Sequence, residues 1–485
     1  MMRTLAIART LGLLLLIFSI SLLPPMAVYG WYQQGAIYPF IITFILTFGV
    51  GILLWAPARA ARAELKARDG FLVVVLVWLV ACLAGAVPFY LYFYPDLSFT
   101  DALFESVSGL STSGATVLTH LDTLPHSILY YRQQLTLLGG IGIVVIALSI
   151  LPVLGIGGMQ LYIAETAGPV KTSRLRPRLR QTAKSLWLIY LGLVVCCALA
   201  YWLAGMPLFD AISQSFSAIA TAGFSTHDQN LAYYHSHTIE AITVIFMILG
   251  STNFGLHYQF FKQRRLSVYW RDPEFIMYLK ILAAVSVITL ATLSIYGLYH
   301  HNLVKITADS IFTVTSVATT SGFELINLDD WPTFLPFLIM ITCLIGGCGG
   351  STSGGIKVLR FLLLKRQGER ELQRLIHPQG VFSIYLGGQP LPENIIQGVW
   401  GFVGIFLVLF ILIILALLAA GLDFRTAFGS AAGAIANAGL GLGKTAVTFE
   451  TINNPSKWIL TFAMFAGRLE ILTILVLFTR GYWRK

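Results

Sequence analysis

Ten long apolar segments limit what this chain can become: 11–30, 36–56, 71–94, 133–155, 185–204, 238–261, 275–299, 333–364, 396–421 and 457–480. A bilayer core about 30 Å thick needs roughly 20 apolar residues per crossing helix, so each segment is long enough to cross. Composition closes the soluble alternative. Of 485 residues, 56% are hydrophobic and 11% charged, against about 25% charged in globular chains. The expected fold class is an all-α polytopic membrane protein. Arg3 and Arg9 precede the first segment as they would in a signal peptide, but no small-residue cleavage site follows and apolar sequence continues past Pro24 and Pro25. It therefore reads as a span. The five cysteines lie in apolar runs and form neither a zinc spacing nor a redox pair.

Ten crossings put both termini on one side. Basic clusters at 59–68, 171–184, 262–271 and 357–374 share that side with Arg3, Arg9, Arg480, Arg484 and Lys485, while Arg132, Lys305, Arg425, Lys444 and Lys457 fall opposite. Positive charge marks the cytoplasmic side, so both termini are expected in the cytoplasm. The net charge of +10 then reads as orientation, with basic loops on which a partner could dock, and not as a nucleic-acid footprint. Acidic residues including Asp101, Glu105, Asp122, Asp210 and Asp309 fall outside, where they would concentrate cations at the mouth of a pore.

Several outer connections are too long and apolar to be simple loops, and they repeat. Segments opening at Asp101, Asp210, Asp309 and Thr426 are each followed 13 residues later by a glycine: Gly114, Gly223, Gly322 and Gly439. The residues just before agree as well: Ser111-Thr112-Ser113, Ala220-Thr221-Ala222, Thr319-Thr320-Ser321 and Ala436-Asn437-Ala438. Each unit reads as a span, a short helix capped by its opening Asp or Thr, a small-residue turn and a second span. About 12 helical residues cover roughly 18 Å, so such a helix goes only part-way into the bilayer. Its carboxyl end turns the negative half of the helix dipole toward the interior, where a cation is stabilised. Four such units predict a four-fold pseudosymmetric pore.

A permeant cation sheds water, and rings of backbone carbonyls can replace it. Glycine takes the positive φ that turns successive carbonyls toward one axis. One such glycine is better explained by helix packing; four at one offset favour a filter. The candidate filter is Ser111, Thr112 and Gly114; Ala220, Thr221 and Gly223; Thr319, Thr320 and Gly322; and Ala436, Asn437 and Gly439.

A second candidate is the run Gly346, Gly347, Cys348, Gly349, Gly350, Ser351, Thr352, Ser353, Gly354 and Gly355. Glycine costs a helix about 1 kcal/mol relative to alanine, so six glycines in ten residues predict a break. Counted from the outer end, it falls past mid-membrane, where small side chains would let a loop sit in the pore and move aside. The alternative is a kink or a packing site. Arg468 lies inside the last span, where arginine is expensive and usually functional or paired. It is expected beneath the filter as an electrostatic barrier, the alternative being an interhelical salt bridge. Glu470 is expected to have a different partner, because residues two apart on a helix do not face each other.

With its Thr-Ser-Gly-Ala, Thr-Ala-Gly-Phe, Thr-Ser-Gly-Phe and Asn-Ala-Gly-Leu motifs, the chain resembles the Trk/Ktr/HKT superfamily of potassium transport proteins, and most closely its bacterial TrkH members. The resemblance assigns 1–70 to two extra amino-terminal helices and 71–155, 183–262, 273–364 and 396–485 to four pore repeats, with an intramembrane gating loop at 346–355. It implies potassium as the transported ion, since a serine at the position of Gly114 accompanies sodium transport. It further implies a homodimer in the bacterial inner membrane and a cytosolic nucleotide-binding regulatory subunit of TrkA type that binds NAD and ATP. Asn437 departs from the threonine pattern, so the ring is not expected to be perfectly four-fold. The expected function is potassium uptake through a channel-like pore, with no cofactor bound by this chain. An alternating-access symporter coupling potassium to protons or sodium is the alternative. The sequence has neither a His-Glu-x-x-His motif nor a nucleophile elbow, so an enzyme is not expected. The outer-loop histidines, His227 among them, are expected to be solvated, the alternative being that they tune a pH response.

Overall fold

A computed structural model describes residues 2–60, 67–149, 175–297 and 302–484. The end of the first repeat at 150–155, the basic residues Arg62, Lys66, Lys171, Arg174 and Lys485, and His300 and His301 fall outside these. The described residues are almost wholly helical; their strand content is one antiparallel pair, Tyr385–Leu386 with Gln389–Pro390. Six helices are long and apolar enough to cross a bilayer, and two more candidates are bent pairs. Outward faces expose Ile45, Leu53, Val195, Val287, Val408 and Leu412, as a lipid-facing surface does.

The amino-terminal helices, Met2–Ile20 running on into Leu23–Tyr32, and Tyr38–Ala58, pack together through glycine. A Cβ on Gly12 would lie 2.7 Å from the Gly51 carbonyl oxygen. That close backbone approach is the packing use of membrane glycine.

The remaining chain repeats one plan four times: a leading helix, a short pore helix, a loop and a following helix. The pore helices are Phe99–Leu110, Leu208–Ala220, Leu303–Ala318 and Phe424–Ile435. The leading helices are Ala67–Phe93, Leu175–Leu203, Pro273–Ile295 and Glu393–Ala419. Each pore helix packs on both helices of its own repeat and on the following helix of the repeat before it, the first on that of the fourth. The ring of repeats therefore closes on itself.

The caps lie earlier than the repeat pattern suggested. Ser98 accepts from the Asp101 amide, Asn302 from Lys305 and Asp423 from Thr426, while Pro207 offers no side-chain cap. An N-cap oxygen reaches the amide three residues on, so Asp101, Asp210 and Thr426 sit at that third position, and Asp309 lies farther along its helix.

The following helices differ from one another. In the first repeat, His126–Ser149 is continuous. The third breaks between Phe334–Ile345 and Val358–Ile376, at the glycine run. The stretches 238–261 and 457–480, read as single spans, are also broken: His237–Gly250 meets Phe254–Gln263 at 94°, and Asn454–Arg468 meets the segment from Ile471 at 107°. At the first of these breaks Asn253 caps a new helix by accepting from the Gly255 amide. At the second, Glu470 takes a positive φ of 55°.

Candidate functional site

All four pore helices end in the same turn. The amide two residues before each filter glycine bonds three residues back: Thr112 to Gly109, Thr221 to Ala218, Thr320 to Val317 and Asn437 to Ala434. The next amide reaches five back, Ser113 to Ser108 and likewise in the other repeats, at 2.8–2.9 Å. This pair of bonds is the Schellman ending, which requires a left-handed residue. Thr112, Thr221, Thr320 and Asn437 supply it at φ 52–56°. A β-branched residue is costly there, whereas asparagine tolerates it, so Asn437 is the least strained member of the set.

The glycines follow at φ 87°, 72°, 75° and 69°. A Cβ on Gly114 would collide with the Ala222 carbonyl oxygen, on Gly223 with that of Ser321, on Gly322 with that of Ala438, and on Gly439 with that of Ser113. Each repeat's glycine therefore faces the next repeat's oxygen, and the series closes after four steps. Four carbonyls crowd one centre, and a side chain at any of the four positions would have to push one of them aside. Ser111, Ala220, Thr319 and Ala436 sit where the pore helices end, all buried. In the second repeat the Gly223 carbonyl also accepts from Asn230 Nδ2 at 3.2 Å.

The hydroxyls of Thr221 and Thr320 face the glycine run. Thr221 Oγ1 lies 3.2 Å from Thr352 Oγ1, and Thr320 Oγ1 accepts from the Gly354 amide at 2.8 Å. Asn437 Nδ2 donates to the Met464 carbonyl at 2.8 Å. The run itself covers the ends of three pore helices. Thr352 Oγ1 donates to the Ile219 carbonyl at 2.9 Å, Ser353 Oγ donates to that of Thr319 at 2.7 Å, and a Cβ on Gly354 would collide with that of Ala436. These orphan carbonyls are the negative ends of the helix dipoles, and loop hydroxyls occupy two of them. The broken second-repeat helix holds the loop's other edge: the Cys348 amide donates to the Ser251 carbonyl at 2.9 Å, and the Phe254 amide to that of Gly350 at 3.1 Å. Backbone freed by one break thus satisfies backbone freed by the other. Gly346, Gly350 and Gly355 take positive φ, Gly347 packs on Ser353, and Ser351 Oγ donates to the Cys348 carbonyl at 2.6 Å.

Arg468 is buried and donates to the Thr352 carbonyl at 2.7 Å and to that of Gly139 at 3.5 Å, so it ties the loop to the first repeat. Glu470 has a different partner, as the spacing suggested: Arg360, at 2.8 Å. Arg360 and Lys357 were grouped with the inner basic loops. Arg360 instead is buried over the Phe402 ring, and Lys357 Nζ donates to the Ser353 carbonyl within the loop.

Three features escaped the sequence reading. Glu274, fully buried, accepts from the Gly349 amide at 2.6 Å and the Leu359 amide at 3.1 Å, fastening both ends of the loop. Gly139, Gly250 and Gly467 on the following helices each abut the carbonyl four residues before their repeat's filter glycine, that of Leu110, Ile219 and Ile435. Glu105 and Arg132, counted among the charges of the outer mouth, are instead a buried pair at 2.5 Å. The glycines lay inside apolar spans and the ionisable residues beside them or in an outer connection, but none had a fixed offset.

His227 is not a solvated loop histidine. Its ring stacks on Tyr233 at 3.6 Å and lies between Asp122, 2.5 Å from Nδ1, and Asp210, 3.2 Å from Nε2. Burial pulls its pKa down, but hydrogen bonds to Asp210 and Asp122 and their charges outweigh this and raise it.

The family model for TrkH, described as a cation transport protein, matches residues 37–484. The chain is 49% identical over 480 residues to the Trk system potassium uptake protein TrkH of Salmonella typhimurium, and equally to that of Escherichia coli K12, with 99% of each chain covered. It is 37% identical over 476 residues to the Trk system potassium uptake protein TrkG of E. coli K12, covering 98% of this chain and 97% of that one. The crystal structure of the potassium transporter TrkH from Vibrio parahaemolyticus is similar with a TM-score of 0.92 at 44% identity, covering 99% of both chains.

Proposed function

The chain belongs to the TrkH family of cation transport proteins, and from that premise we propose that it carries potassium into a bacterial cell through a channel-like pore. The observation that carries this reading is the closed ring in which each positive-φ glycine faces the next repeat's carbonyl. A dehydrated cation at its centre is held by oxygens that need no rearrangement to receive it. The ring belongs to four repeats, 71–155, 183–262, 273–364 and 396–485, with 1–70 as an added pair. Four units in one orientation favour a conduit over an alternating-access carrier, whose halves are usually inverted.

The glycine loop at 346–355 with Arg468 is the gate. In the arrangement described above, loop hydroxyls occupy carbonyls that would otherwise stabilise a cation, and a guanidinium lies against the loop. Opening requires the loop to leave those carbonyls. The chain works as a homodimer in the inner membrane, both termini cytoplasmic, under a nucleotide-binding subunit of TrkA type; the names of the similar proteins support a system with further components, and the family resemblance implies the rest. Reconstituted flux under potassium or sodium gradients tests the reading. Gly114→Ser, which puts a side chain into the Ala222 carbonyl, is expected to lose discrimination between the two ions. A variant that keeps native discrimination removes the filter from Gly114.

A further inference from the structure

The joint between the first and second filter segments is built unlike the other three. Glu105, on the first pore helix, is fully buried, and Arg132, on the following helix, is 1% exposed. Arg132 Nε donates to Glu105 Oε1 at 2.5 Å. The Glu105 carboxylate also accepts from Thr116 Oγ1 at 3.1 Å and from the Val117 amide at 3.0 Å; Thr116 is two residues past Gly114. The guanidinium's other face belongs to the neighbouring repeat. Its Nη1 donates to the Ser225 carbonyl at 2.7 Å, and its carbon lies 3.7 Å from the centre of the Phe224 ring; these residues directly follow Gly223. An unbroken chain of charged hydrogen bonds thus runs from one filter segment to the next.

Other braces lie beside the filter, but they are of a different kind: Thr226 Oγ1 donates to Asp210 at 2.9 Å within the second repeat, and the Phe449 amide of the fourth repeat donates to the Thr116 carbonyl at 2.8 Å, neither through a buried guanidinium. Gln214 Nε2 donates to Ser225 Oγ at 2.8 Å, Ser316 Oγ to the Phe323 carbonyl at 2.7 Å, and Ser430 pairs with Thr445 at 2.7 Å. Charged, buried hydrogen bonds are shorter and stiffer than neutral ones, and a planar guanidinium fixes direction where an ammonium does not.

We infer that Glu105 and Arg132 are positioning residues for ion selection, setting the spacing between the Gly114 and Gly223 segments of the carbonyl ring. The inference rests on the reading of those glycines as the filter. Neither residue touches the ion; each acts through the loop it holds. Carbonyls free to close around a smaller ion favour sodium more than carbonyls held apart, so a slack joint lowers discrimination before it stops flow.

The full-length chain, reconstituted in liposomes, is assayed for rubidium uptake in competition with potassium and sodium. Arg132→Lys keeps the charge but reaches Glu105 and Ser225 with a single ammonium. Phe224→Leu removes only the ring beneath the guanidinium and carries the test if Arg132→Lys fails to fold. Gly114→Ser is the reference for the filter itself. The expected result is a fall in the potassium-to-sodium ratio, about tenfold for Arg132→Lys, equivalent to roughly 1.4 kcal/mol, and less for Phe224→Leu, with uptake persisting. A purely structural pair would lower uptake of every ion in proportion. If the ratio stays native in both variants while Gly114→Ser shifts it, the positioning role is overturned and the filter reading stands. If Gly114→Ser leaves the ratio unchanged as well, the filter reading fails and the inference goes with it.

Discussion

The carbonyl ring and the loop that covers it are both rich in glycine, yet they put it to opposite uses. In the ring one glycine recurs in each repeat, with the same Schellman turn before it and the same neighbouring oxygen against it. In the loop six glycines occur once, and the loop's partners are unlike: second-repeat carbonyls, a third-repeat hydroxyl, a fourth-repeat backbone and Glu274. The ring is rigid because four copies constrain each other. The loop is held by single bonds, none of them repeated by symmetry. A four-fold pore cannot be closed symmetrically by a single loop, so the asymmetric element is the one suited to move. A third use, the Gly12–Gly51 contact of the amino-terminal helices, is packing alone.

Substitutions should separate the ring from the loop. The largest effect is expected at the ring. Gly322→Ala forces a methyl group into the Ala438 carbonyl at a φ of 75°. The left-handed backbone alone costs about 1–2 kcal/mol, and the collision adds to it, so potassium uptake should drop on the order of 100-fold. Retained uptake in cells that depend on the protein for potassium would show that the ring is not tight and erase its difference from the loop. The opposite sign is expected at Arg468→Ala, which frees the Thr352 carbonyl. A charge-assisted hydrogen bond contributes about 1.5–3 kcal/mol, so basal flux should rise roughly tenfold with ion preference unchanged. Unchanged basal flux in a correctly folded protein rejects the barrier.

A smaller change in the same direction is expected at Glu274→Gln. The amide oxygen still accepts from Gly349 or Leu359, but without the full negative charge that both amides now share. The difference between a charged and a neutral hydrogen bond is about 1 kcal/mol, or roughly fivefold in loop opening. Cysteine accessibility at Cys348, which is buried in the loop, gives a direct readout. Equal labelling rates in the variant and the native protein would sever Glu274 from the loop's stability.

The ring was legible in the sequence because each repeat meets one steric demand at one distance, so a fixed offset marks it. The loop was legible because glycine at that density breaks helices by itself. The breaks at Ser251–Asn253 and Leu469–Glu470 were not, for neither holds Gly or Pro. The first is paid for by amides about a hundred residues away, Cys348 and Thr352, and no local pattern carries such contacts. Gly139, Gly250 and Gly467 stand at unequal distances from their filter glycines, so the search that found the ring passed over them. Glu105 and Arg132 were visible as charges, but only the fold shows that they face each other and not water. Because the two charges cancel, their burial leaves the net negative charge expected at the outer mouth unchanged.

The smallest effect is expected at the outer rim, where ion pairs join neighbouring repeats. Lys457 with Asp101 joins the fourth to the first, Arg425 with Asp329 the fourth to the third, and His227 with Asp122 the second to the first, at 2.5–2.6 Å. Among these the third alone contains a histidine. Asp228 lies beside it, accepting from the Leu121 amide at 3.0 Å. His227 titrates above its ordinary value of about 6.5, so its contribution is complete below that value and is lost as the pH rises through the raised one. Burial would raise the pKa of Asp122, but the hydrogen bond and charge of His227 lower it overall. Its share is therefore present above the usual aspartate range and fades only in strong acid. The joint should loosen on the alkaline side. Because Asp122 is 43% exposed, solvent holds the effect to the order of 0.5–1 kcal/mol. The protection factor of the 226–236 loop, its exchange rate divided into the intrinsic base-catalysed rate at each pH, should fall two- to fivefold between pH 6 and pH 9 by that scale, and His227→Gln should remove this pH dependence of protection. Ion discrimination should stay constant throughout, since the ring is held by backbone and by the Glu105–Arg132 pair. A discrimination ratio that follows the histidine's titration would mean that the rim and the ring are one element, and the contrast between a rigid filter and its yielding surroundings would not hold there.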